Sequence, residues 1–347
     1  MIHPDDELQH QPGPEFLWRE SHYFFFHDER AGLGGFSTMG FRPNEGLIDA
    51  GFLLFRRRAR LELAHLYPRR NVPFRGNWRP WTLDGLSYTM LDPLRRWTLR
   101  LEDSHCRAEL IFTGFHPPYD YADNAVVLPS FVAGRHYEQG CTVNGTITLR
   151  GRRFDVRGVG LRDHSWGVRD WARPDEWKWI TGVFPANGES PPWAFNVWRV
   201  RTSQEVTVNG FIFDGEQTSG LVGAHIGTEY ARDGRTQVAV GLRLEDDAGR
   251  VHHAQARALT VFPMADRRTL LNEALAEFEM GGRRGWGVLE YLWQADSAAQ
   301  SYRWLLRMGW HFLRARLRWA PPSLPATERE GGRVLEHIAS WHRKDVL

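Results

Sequence analysis

Between Gly158 and Trp171 the sequence reads Gly-Val-Gly-Leu-Arg-Asp-His-Ser-Trp-Gly-Val-Arg-Asp-Trp, which sets Asp163 and His164 among Arg162, Arg169, Trp166 and Trp171. A carboxyl kept protonated in apolar surroundings can deliver a proton to an alkene, and aromatic faces can steady the carbocation that forms. Asp163 fits that acid if it is desolvated, and His164 could set its protonation state or guide a water. Glu138, in His136-Tyr137-Glu138-Gln139, is a further acid in aromatic surroundings. Asp163, His164 and Glu138 are therefore the expected catalytic residues. Trp166, Trp171, Tyr137, Arg169, Glu20 and Glu290 are the expected substrate-binding ones.

As a strand, Leu161 to Trp166 puts Arg162, His164 and Trp166 on one face and Asp163 and Ser165 on the other. Asp163 and His164 then cannot both reach one substrate unless a bulge or the Gly167 turn re-aims one of them. The glycines of the stretch let the backbone turn sharply or approach another strand closely.

The elements around this stretch read as short strands with frequent turns. His22 to Phe26, Cys106 to Phe115, Thr142 to Leu149 and the alternating run Thr236 to Leu244 suit strands, while Phe115-His116-Pro117-Pro118 cannot be helical. Leu271 to Met280 has helix formers, yet Gly281-Gly282-Arg283-Arg284-Gly285 and the run after it favour a hairpin. The arginines at 56, 57, 58 and 60 read as a solvated hairpin end. All this predicts an all-β protein. Ser301 to Trp319 breaks the pattern as an amphipathic helix, with Arg303, Arg307, Arg314 and Arg318 opposite Trp304, Leu305, Met308, Phe312 and Trp319. It can cap a barrel or lie in a membrane interface. A second short helix is expected through Val334 to Trp341.

Composition narrows the function classes. The 44 basic and 42 acidic residues leave a formal charge of +2, so no global field favours nucleic acid. Cys106 and Cys141 read as small buried side chains. Residues 1–11, with His3, Asp5, Asp6, Glu7 and His10, read as a solvated arm without the apolar core of a signal peptide. With no run of roughly 18 apolar residues, the expectation is a cytoplasmic protein. Phosphate loops, dinucleotide fingerprints and nucleophile elbows are absent from the sequence, and His252-His253 lacks further ligands at a useful spacing. No cofactor or metal is expected.

The Arg-Asp-His-Ser-Trp-Gly-Val-Arg-Asp-Trp run, with Trp18-Arg19-Glu20-Ser21, His136-Tyr137-Glu138-Gln139 and Gly285-Trp286-Gly287-Val288-Leu289-Glu290-Tyr291, resembles a large group of bacterial proteins. That group is similar to the superfamily of carotenoid hydratases and of tocopherol-cyclase-like and Diels-Alderase lipocalin-like proteins. The resemblance covers most of residues 15–293. It implies two lipocalin-like antiparallel β-barrels side by side, at 1–157 and 158–298, with a helical extension at 299–347. It also implies cofactor-independent acid chemistry on a double bond of an isoprenoid- or steroid-like substrate: hydration, isomerisation or cyclisation. Two alternatives stand beside it. The chain could be a non-catalytic carrier of a hydrophobic small molecule, and in such barrels a Trp stacked on an Arg, here Trp166 and Arg169, can simply close one end. Peripheral membrane contact through 301–319 is a further role open to the helix, and the oligomeric state is left open.

Overall fold

The computed structural model describes residues 1–57, 59–74 and 81–319; the helix expected at Val334 to Trp341 lies outside them. The first half comprises β1 (Trp18–Asp28), β2 (Leu33–Arg42), β3 (Leu47–Arg57), β4 (Leu61–Pro73), β5 (Thr82–Leu83), β6 (Leu86–Asp92), β7 (Arg96–Glu102), β8 (Cys106–Gly114), β9 (Tyr119–Asp120), β10 (Arg135–Leu149) and β11 (Arg152–Val168). They form one antiparallel sheet in the order β4-β3-β2-β1-β11-β10-β8-β7-β6-β5, with β9 on β10. The sheet curls on itself: Phe24 and Phe26 of β1 share a core with Phe52 of β3, Trp97 of β7 and Phe112 of β8.

The second half is a closed eight-stranded barrel of β12 (Glu176–Phe184), β13 (Trp193–Arg201), β14 (Val206–Phe213), β15 (Thr218–Tyr230), β16 (Gln237–Asp246), β17 (Val251–Asp266), β18 (Thr269–Met280) and β19 (Arg283–Gln294). The hairpin expected from Leu271 onward is β18 and β19, paired from Thr269↔Gln294 to Met280↔Arg283. The division expected at 157/158 falls inside β11, which stays in the first sheet throughout; the chain crosses to the barrel only between Val168 and Glu176.

The halves pack face to face. β12 is buried at eight successive positions from Trp177 to Phe184, and β1 is almost as continuously buried, because each has its own core on one side and the other half on the other. Phe25 and Leu161 of the first sheet accordingly join Trp177 and Trp179 of the barrel in one cluster. Close approach requires glycine in two places. A Cβ on Gly158 or Gly160 would come within 2.1 or 2.2 Å of the carbonyl oxygens of His27 and Phe25 in β1, and one on Gly140 would meet Ala194 of the barrel at 2.8 Å. Asn124, in the segment between β9 and β10, clasps the barrel by donating to Asn209 Oδ1 at 2.8 Å and to the Gly210 and Leu221 carbonyls. Helix α1 (Ala298–Trp319) lies across β4 and β17 and so touches both halves, with Trp304, Leu305 and Met308 buried.

Candidate functional site

Strand alternation divides the polar residues of β1, β10 and β11 between two places. Register aligns Tyr23, Asp163 and Glu138 across the three strands, with Ser21, Ser165 and His136 in the next like-facing row. These side chains face the barrel. His22, His164 and Tyr137, with Glu20, Arg162 and Trp166, point into the first half. The two faces expected for Arg162, His164, Trp166 and for Asp163, Ser165 are those observed.

Between the halves, Glu138 is fully buried. Its Oε1 accepts the Trp179 indole N–H at 2.7 Å, while Oε2 has no hydrogen-bond partner. Burial, reinforced by the nearby Asp163 carboxylate, pushes its pKa well above the ordinary 4.5. His136 Nε2 lies 3.5 Å from Glu138 and 3.4 Å from Asp163, within reach of both but aligned for neither. Its ring packs 4.8 Å from Tyr121, whose backbone carbonyl accepts from the Asn209 amide at 3.1 Å. The Tyr121 hydroxyl and the Trp198 indole N–H also lie near Glu138 and moderate the rise in its pKa, although neither is aligned for a full hydrogen bond. From the barrel side come Glu273 and Glu290, paired across β18 and β19. Tyr23 donates to Glu273, and Trp177 donates to Glu290 at 2.9 Å. Both carboxyls are raised by burial, Glu273 more strongly because Glu290 faces it. Asp163 remains partly exposed, at 14% of its side chain, and gives the cluster an edge on solvent.

Inside the first half a second network closes on the N-terminal segment. Glu7 is buried and forms an ion pair with Arg162 at 2.8 Å. It also accepts the Tyr137 hydroxyl at 2.7 Å and the Trp97 indole N–H. His164 Nε2 and His10 Nδ1 both sit on Glu20 Oε1, at 2.8 and 2.9 Å, and His10 stacks on Trp166 at 3.9 Å. Burial holds His164 and His22 well below the ordinary 6.5, with the neighbouring imidazoles and Arg162 adding to the effect. Residues 1–11 are therefore no solvated arm: the acid that the arm was expected to expose is the counter-ion of a buried arginine.

Of the expected site residues, Asp163, Glu138, Glu290, Arg169 and Trp171 lie at or beside the contact between the halves. His164, Tyr137, Trp166 and Glu20 lie on the other side of the sheet. Arg169 is tied to the Ser21 and Ser165 hydroxyls at 2.8 Å each and to the Val132 carbonyl, and stacks on Trp171 rather than on Trp166. Arg162 pairs with Glu7 on the opposite side of the sheet from Asp163. Sequence reasoning missed His136, Tyr121, Tyr23, Glu273, Trp179 and Trp198 as partners. His136 and Tyr23 were legible from the same period of two, whereas Glu273 sits in an apolar run that gives no sign of its surroundings.

Among the described residues, two groups have ligand atoms close enough to hold a metal, all within 4.8 Å: His10, Glu20, His164 and His136, Glu138, Asp163. The first is closed by its own hydrogen bonds. The second has unpartnered nitrogen and oxygen atoms.

The model of a family described as "Domain of unknown function (DUF7064)" matches residues 3–295. None of the curated proteins matches the chain. Among solved structures, a Nitrosomonas europaea protein assigned to AttH is similar with a TM-score of 0.59 at 16% identity, over 84% of this chain and 96% of that one. Kievitone hydratase from Nectria haematococca is similar at 0.54 and 11%, over 80% and 89%. CghA with Sch210972 is similar at 0.56 and 12%, over 81% and 89%. At these identities the likeness is one of fold.

Proposed function

The chain belongs to the DUF7064 family, and from that premise we propose that it adds a proton to a carbon–carbon double bond of a hydrophobic substrate held between the two halves, leading to hydration or cyclisation. Glu138 is the proton donor. The observation that carries this reading is a fully buried carboxyl with one oxygen unpartnered and its pKa raised by burial and by Asp163. A raised pKa of this kind favours the protonated form, and a carboxylic acid is a far stronger acid toward an alkene than water is. Trp179, Trp198 and Tyr121 present π-faces to the cation formed at the neighbouring carbon.

In hydration, the proton leaves Glu138 for one alkene carbon and a water adds to the other. The proton that this water releases returns to the carboxylate, with His136 or Asp163 as the relay. In cyclisation, a second double bond of the substrate attacks the cation and a proton is lost to Glu138. The hydratase among the structural neighbours makes hydration the natural first assay.

The test is incubation with a panel of isoprenoid and steroid alkenes in isotopically heavy water, read by mass spectrometry. Wild-type protein should yield labelled alcohol or cyclised product, and Glu138→Gln, with unchanged melting, none. Equal turnover by Glu138→Gln would refute the assignment. An apolar ligand that co-purifies and stays chemically unaltered in the wild type would instead favour the carrier.

A further inference from the structure

We infer that helix α1 docks the protein on an anionic lipid surface. A helix that serves only to cover a barrel should bury its apolar stripe and turn polar residues outward. This one does both and then adds a second apolar stripe. Trp304, Leu305, Met308 and Ala315 are buried against the two halves, while Tyr302, Leu306, Trp310 and Leu313 are 57, 55, 59 and 47% exposed. At 3.6 residues per turn these four fall within roughly a quarter of the helix circumference.

Charge selects the occupant. The helix sequence carries Arg303, Arg307, Arg314, Arg316 and Arg318 and no acid. The first three follow directly beside the exposed stripe on the helical wheel; Arg307 and Arg314 also reach Asp233 and Glu62, at 2.7 and 3.6 Å, pairs that a phosphate headgroup would have to compete with. A Trp and Tyr stripe edged by arginines is the pattern of an element lying in the headgroup layer, where aromatic rings sit at the acyl boundary and guanidinium groups meet phosphates. Basic residues near the surface are attracted to an anionic leaflet. Among the described residues no helix is long and apolar enough to cross a membrane, so the contact is a peripheral one. A shallow cleft of about 360 Å³ runs along this edge, lined by Leu306, Arg307, Trp310 and His311 of the helix and by Val261 and Pro263 of β17. It offers a place for part of an acyl chain or headgroup.

The experiment is flotation of the full chain with vesicles of phosphatidylglycerol or of phosphatidylcholine. The protein should float with the anionic vesicles and remain behind with the neutral ones, and added salt should weaken the binding. Leu306→Glu/Trp310→Glu, at exposed positions, should reduce flotation at least tenfold with unchanged melting. Absence of flotation, equal recovery on both lipids, or full recovery of the double variant overturns the inference. So does a vesicle-free dimer that the same variant dissolves, which would assign the stripe to a second copy of the chain.

Discussion

The Asp163 charge acts on Glu138, and that effect is measurable. A donor whose pKa stands above the ordinary 4.5 gives a rate that is level at low pH and falls as pH rises through the raised value. Asp163→Asn removes the like charge that helps raise Glu138, so the falling limb of the pH–rate profile should move to lower pH while turnover persists. An unmoved limb would show that burial alone sets the donor. The same residues bear on metal chemistry. A divalent ion on His136, Glu138 and Asp163 would displace the proton that the mechanism needs. Elemental analysis of purified protein is therefore expected to find less than stoichiometric metal, and a full equivalent lost in His136→Ala would contradict the acid reading. At this scale the sequence was partly legible. Period two separated Asp163 from His164 without a structure. It could not show that Glu7 pairs with Arg162, since the partners lie 155 residues apart and an acidic N-terminus ordinarily stays in water.

The N-terminal turn and the strands it plugs behave as one element. Removing one member of a buried ion pair strands the other charge, at a cost of about 3–5 kcal/mol. Glu7→Ala should lower unfolding stability by that amount in urea, and adding Arg162→Met should recover much of it. Loss within a few tenths of a kcal/mol would mean that the turn is not held as described. His22 and His164 give this element a pH signature. Their folded pKa values lie well below the 6.5 of the unfolded chain, so their contribution is present above that pH and is lost as pH falls through and below it, where only the unfolded state takes up protons. His22→Phe should therefore gain stability relative to wild type as pH drops from 7 to 5, read from parallel denaturation series. A constant difference would contradict a neutral His22. Strand and hairpin identities were legible here from alternation and turn residues. The strand β11 was harder to place, because a long strand can belong to either neighbour and only its pairing with β1 and β10 decides.

For the whole molecule, the central feature is that the proposed reactive face lies between two halves that each have a core of their own. The continuous burial of β1 and β12 carries the trace of that arrangement in the sequence, as runs apolar on both faces. What the sequence could not reveal is which carboxyls the contact brings together: Glu138 and Asp163 from one half, Glu273 and Glu290 from the other. Gly140 packs tightly against the barrel, and a Cβ there would lie 2.5 Å from Phe115 and 2.8 Å from Ala194. Gly140→Val should lower the melting temperature and reduce the protection of Trp179 and Trp198 from solvent quenchers. Unchanged melting and quenching would show that the contact tolerates separation.

The most direct test needs no substrate. The infrared spectrum of wild-type protein minus that of Glu138→Gln, taken at neutral pH, isolates the state of one carboxyl. A protonated Glu138 predicts a carboxylic-acid carbonyl band in the difference that shifts in deuterium oxide and is lost only as pH rises through the raised pKa. A carboxylate band in its place, with no acid carbonyl, would mean that Glu138 is ionised and cannot be the donor.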